Sequence, residues 1–234
     1  MLRIVFTLLL WLLCVPIHGA ELSEALSEFA HLQKLYQTYP LYRDQLSQYA
    51  IRQGFTRPVE NLATVVHENI HIDSAAHDGY FVDGIYYEPY LRREAWPHLT
   101  NSQVGAALLS GEKGLISNVY VRNAPNNHLG NVVDEINAYT HVLPMVCRFE
   151  PESKGKQITN LTGFLNLAEG YLRTMRTNLP REYARLSGNR EARGAFTLIV
   201  QRAWTALRDC GVSDAAMSVQ EARYFIAISA QRQE

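Results

Sequence analysis

The residues most able to do chemistry in this chain stand together in His67-Glu68-Asn69-Ile70-His71. Two histidines four apart lie one above the other on the same face of a helix. Both imidazoles can then reach one tetrahedral Zn²⁺ at about 2.0–2.1 Å, while Glu68, beside the first histidine, reaches a water on the metal rather than the metal itself. Residues of these types at this spacing suit metal-assisted hydrolysis.

That chemistry requires a helix, and the flanking residues supply one. Val59, Leu62, Ala63, Val66 and Ile70 recur at i, i+3, i+4, i+7 and i+11, and Pro58 falls in the first turn, where a missing N–H costs nothing. The helix is expected to end near Gly79. Beyond it, Asp83-Gly84 between short aromatic and β-branched runs (80–87) predicts a two-residue β-hairpin.

A zinc site needs a third protein ligand, and the chain offers two candidates. His77 completes His67-Glu68-x-x-His71-x-x-Ser74-x-x-His77, the spacing of the metzincin signature, with serine where that pattern has glycine. Glycine there lets the chain leave the helix and swing the third histidine back. With Ser74-Ala75-Ala76 the helix is expected to continue, carrying His77 away from the metal.

The rival is Glu135. A second helix is expected from about Asn131 to Leu143, ended or kinked by Pro144, with Val132, Ile136, Tyr139 and Leu143 as its apolar stripe. Glu135 sits on the border of that stripe, where a carboxylate is costly unless paired or metal-bound. Here the chain resembles the gluzincin class of zinc metallopeptidases, whose Glu-x-x-Ala element is matched by Glu135-Ile136-Asn137-Ala138. The resemblance covers two short motifs within roughly seventy residues. It implies a zincin-like α+β fold, Zn²⁺ as cofactor, His67, His71 and Glu135 as metal ligands, and Glu68 as catalytic base. Many gluzincins carry an aspartate four residues after the ligand glutamate; this chain has Tyr139, which could serve as a hydrogen-bond donor to the site or stabilise an oxyanion.

Other conspicuous residues rank lower. Asp134, His128 and His141 are expected to be capping or solvated groups, and Asp73 to face solvent. Tyr80, Tyr86, Tyr87 and Tyr90 could line a cleft, though aromatic hairpins more often pack on a neighbouring helix.

The rest of the chain predicts a mainly α fold with a small β-hairpin or sheet and a helical C-terminal half. Two packing helices are expected within 22–53, broken at Tyr39-Pro40, a short helix around Gln103–Leu109, and a strand over Ile116–Val121. Helical spacing returns in Ile158–Met175, in Ala195–Leu207 and in Val219, Ala222, Phe225 and Ile226.

The N-terminus reads as an export signal: Arg3, an apolar run from Ile4 to Val15, then small residues at Gly19-Ala20. Leu13 before Cys14 is bulky for a lipoprotein signal. The expected organisation is 1–20 signal, 21–150 metal-binding region, and 151–234 helical region packed on the same domain. Secretion or a periplasmic destination is oxidising, so Cys147 and Cys210, the two cysteines left after signal removal, are expected to pair. A net charge of −1 and a pI near 6.7 leave no electrostatic footprint for nucleic acid, and no later apolar run is long enough to insert stably in a membrane. The expected partner is a peptide or protein substrate of a zinc metallopeptidase. Alternatives are a non-catalytic exported binding protein on a similar scaffold and a zinc-dependent hydrolase of a non-peptide amide.

Overall fold

The computed structural model describes residues 22–109, 113–213 and 220–231. Residues 1–20, expected to form an export signal, and Val219 lie outside them. Along the chain run α1 (22–27), α2 (Ala30–Thr38), a 3₁₀ turn (Pro40–Tyr42), α3 (Arg43–Arg52) and α4 (Pro58–Ala76). The strands β1 (Tyr80–Val82) and β2 (Ile85–Tyr87) follow, then α5 (Asn101–Ala107), α6 (Leu115–Asn123), α7 (Leu129–Phe149), α8 (Lys154–Asn178), α9 (Pro180–Gly188), α10 (Arg190–Asp209) and α11 (Gln220–Gln231). The fold is mainly helical, with one two-stranded antiparallel sheet among the described residues.

The organising element is α7. One side of it, through Ala138, Val142, Met145 and Val146, packs on Val59, Leu62, Ala63, Val66 and Ile70 of α4. The other, through Val132, Val133, Ile136 and Leu143, meets Leu161, Phe164 and Leu165 of α8 and Phe196, Ile199 and Ala203 of α10. A helix enclosed on both sides must satisfy its polar side chains internally. Thr140 donates to the Ile136 carbonyl, and Asn137 Nδ2 and His141 Nε2 both bond the Phe81 carbonyl of β1. These last two bonds fasten the hairpin to the helix that carries Glu135.

The hairpin has the predicted register, with Val82 opposite Ile85 and Asp83-Gly84 as the turn. Both turn residues have positive φ, 53° and 90°, the type I′ requirement that an Asp-Gly pair meets at least cost. The disulfide joins Cys147 near the end of α7 to Cys210 after α10, closing 63 residues.

Three local expectations are corrected. Residues 116–121 are helical, within α6, not a strand. Val119, Tyr120 and Val121 are partly buried, and Tyr120 stacks edge-on against Phe164 of α8 at 4.9 Å, so tertiary packing overrides the β-branched preference. Pro144 does not end α7, which runs to Phe149, six residues beyond the expected Leu143, and starts two earlier than expected. The extra start comes from His128, an N-cap whose ring accepts from the Gly130 N–H while Asn131 Oδ1 accepts from the His128 N–H. Finally, α4 stops at Ala76, with His77 as its C-cap, rather than at Gly79. The helical C-terminal half holds as expected, with α9 as an additional element.

Gly130 sits where the hairpin, the 89–96 segment and α7 meet. Its carbonyl accepts the Tyr80 hydroxyl, and a Cβ would lie 2.8 Å from both His128 Cε1 and Trp96 Nε1. Gly130→Ala is therefore expected to destabilise the protein by about 1–3 kcal/mol, read as a lowered urea midpoint with unchanged slope.

Candidate metal centre

Helix α4 presents His67 and His71 on one face, and α7 brings Glu135 across from them. His67 Nε2 and His71 Nε2 are 3.0 Å apart, and Glu135 Oε2 lies 3.5 Å and 3.8 Å from them respectively. Ligands at about 2.0–2.2 Å from a tetrahedral ion stand about 3.3–3.6 Å from one another, so these two nitrogens and one oxygen fit the donor set of a zinc site. Among the described residues no arginine pairs with Glu135; its carboxyl is held below the usual range because hydrogen bonding and charge from His67 and His71 outweigh the upward push of burial.

Behind His71 stands Asp134, buried, its Oδ2 at 2.7 Å from His71 Nδ1. Tyr90 donates to the same oxygen at 3.0 Å. Burial alone would push the His71 pKa down, but the Asp134 carboxylate, its hydrogen bond, and the charges of Glu135 and Glu68 raise it to about 10. Asp134 thus orients the ring so that Nε2 faces His67 and Glu135, the job a carboxylate commonly performs behind a metal-binding histidine. It is not the capping or solvated group expected. One residue of separation puts Asp134 and Glu135 about 100° apart on α7, enough for one to reach His71 from behind and the other from in front. Asp134→Asn keeps the shape and removes the charge; zinc affinity is expected to fall about 10–100-fold in a chelator competition.

His67 is supported differently. Its Nδ1 is buried with no hydrogen-bond partner among the described residues, and its ring packs against Tyr139 at 4.3 Å between centroids. The Tyr139 hydroxyl accepts from Asn160 Nδ2 at 3.0 Å. Burial, and secondarily the Glu135 charge, hold its pKa far above the ordinary tyrosine value, so it keeps its proton.

A cleft of about 510 Å³ opens onto these residues. Glu68 and Tyr139 line it with the three donors, joined by Tyr49, Gln157, Asn160 and Lys156. Lys156 is a cation that spacing alone did not single out; its Nζ is held by the Gln53 carbonyl at 3.2 Å and lies 3.6 Å over the Phe55 ring. No pattern marks it because residues 53–55 and α8 meet only in the tertiary structure.

His77 does not join the cluster: its Nδ1 bonds the Asp73 carbonyl at 2.9 Å and its ring stacks on Tyr86. Asp73 is buried, contrary to expectation, because Tyr39 and Tyr86 donate to its two oxygens at 2.6 and 2.7 Å. The tyrosines Tyr80, Tyr86 and Tyr90 buttress α4 and α7 from behind rather than lining the cleft. His128 is a cap, as expected, and His141 is buried on another face of α7.

Compared with known proteins, the chain matches no protein-family model, no curated protein and no solved structure. Among the described residues, no helix is long and apolar enough to cross a membrane.

Proposed function

We propose that the protein is an exported zinc-dependent metallopeptidase with a zincin-like core of the gluzincin type. The observation that carries this reading is the approach of His67 Nε2, His71 Nε2 and Glu135 Oε2 to within 3.0–3.8 Å of one another on a cleft that Glu68 also lines. The apolar N-terminal run and the Cys147–Cys210 pair support export.

His67, His71 and Glu135 would hold the zinc ion, which would supply Lewis acidity toward water and a substrate carbonyl. Glu68 takes the proton of the attacking water and passes it to the leaving amine, so one carboxylate serves as base and then as acid. The protonated Tyr139 hydroxyl is a hydrogen-bond donor for the oxygen on which negative charge develops. Asp134 keeps His71 in register throughout, and the walls of the cleft position the peptide.

The test is hydrolysis by the zinc-loaded full chain of a peptide library and of cell-wall amides, with and without chelator. Peptide cleavage that chelator abolishes and zinc restores is expected. Cleavage confined to the cell-wall amides would move the activity to non-peptide amides. Stoichiometric zinc without turnover of either would make the protein a binding module with a structural metal.

A further inference from the structure

Helix α7 carries a second cluster of metal-ligating atoms, separate from the first. His141 Nδ1 lies 3.4 Å from His31 Nε2 of α2 and 3.7 Å from Asp83 Oδ1 at the hairpin tip, and His31 Nε2 and Asp83 Oδ1 are 3.8 Å apart. We propose that His31, Asp83 and His141 form a second divalent-cation site, selective for zinc-like ions that favour imidazole nitrogen.

The tautomer of His141 supports the assignment. Its Nε2 stands 3.1 Å from the Phe81 carbonyl, which can only accept, so that nitrogen carries the hydrogen and Nδ1 presents a lone pair toward His31 and Asp83. A metal-bound histidine ordinarily has its other nitrogen satisfied in this way. The three pairwise distances approximate the edges of a tetrahedral zinc shell, about 3.3–3.6 Å. His141 is buried at 1% side-chain exposure, whereas His31 and Asp83 are 29% and 48% exposed. The open side of the cluster thus faces solvent, leaving room for a water as fourth ligand.

Asp83 is also gripped by Arg202 of α10, whose Nη1 donates to Oδ2 and whose Nη2 donates to Oδ1 at 2.8 Å. That grip fixes the carboxylate while leaving Oδ1 a further lone pair on the histidine side. The guanidinium charge opposes a cation, and here one carboxylate faces the ion. The Glu135 centre has Glu68 and Asp134 close enough to act on His71 as well. The second site therefore fills after the first. Once filled, it ties α2 and the hairpin tip to α7, six residues beyond Glu135.

The experiment is equilibrium dialysis of the metal-stripped full chain against increasing Zn²⁺, with metal content read by elemental analysis and folding by circular dichroism. Two equivalents are expected for the unaltered chain, the second binding more weakly. His31→Ala and Asp83→Asn are each expected to reduce the content to the one tight equivalent; asparagine also tolerates the positive φ of the turn. His67→Ala is expected to lose the tight equivalent and keep the weaker one, so failure of the catalytic-centre reading and failure of this one appear in different variants. Saturation of the unaltered chain at one equivalent that His67→Ala abolishes would overturn the proposal. So would two equivalents retained in both folded variants, His31→Ala and Asp83→Asn.

Discussion

Glu68→Gln is expected to reduce peptide hydrolysis by about 10²–10⁴-fold, the range that a positioned general base contributes, while zinc content stays at its unaltered stoichiometry. The two readouts separate because Glu68 lines the cleft but supplies none of the three converging donor atoms. Glutamine keeps the size and hydrogen-bonding reach of the side chain and cannot take up the proton of the attacking water. Removing a proposed ligand is different: Glu135→Ala is expected to lose metal and activity together. Turnover in Glu68→Gln at the rate of the unaltered protein would eliminate Glu68 as the base. Loss of zinc in that variant would instead make it a ligand.

The second large effect is on stability. Replacing both Cys147 and Cys210 by serine is expected to lower the unfolding free energy by about 4 kcal/mol, because a cross-link closing 63 residues removes that much loop entropy from the unfolded chain. The covalent tie joins the end of α7, which carries Glu135, to the end of α10, whose Phe196, Ile199 and Ala203 share the larger core with α7. A single thermal transition at reduced temperature, with zinc affinity preserved at low temperature, is the expected record. An unchanged denaturation midpoint in the double variant would show that the bond contributes nothing to folding.

Much of the candidate site was legible in the chain because it depends on local geometry. An i, i+4 pair on a helix shares a face wherever the helix goes, so His67 and His71 converge for reasons contained in five residues. Asp83-Gly84 specifies its turn because only a few residue types accept two consecutive positive φ values. Glu135 could be picked out because a carboxylate at the edge of an apolar stripe must find a partner.

Expectations failed where a polar residue's environment is set by segments elsewhere in the chain. Asp73 and Asp134 looked like solvated carboxylates until Tyr39, Tyr86, Tyr90 and His71 were found against them. Residues 116–121 looked like a strand because branched residues pack well in sheets, but the segment is helical and its Tyr120 packs on Phe164 of α8. Pro144 was expected to end or kink the helix, and it does not end it. It lacks an N–H for the Thr140 carbonyl, yet α7 is held on both sides by the two cores and by Cys147, and it runs through.

The sequence by itself determined the short-range parts: the paired histidines with their adjacent glutamate, the hairpin, the amphipathic helices, and the two cysteines available to pair. Tertiary structure decided which carboxylate stands behind His71, what surrounds Glu135, and that His31 meets His141 across 110 residues. The division has one physical cause. Spacing of a few residues is set by the backbone's own periodicity, whereas contacts between distant segments exist only once α7 is enclosed by the helices that bury it.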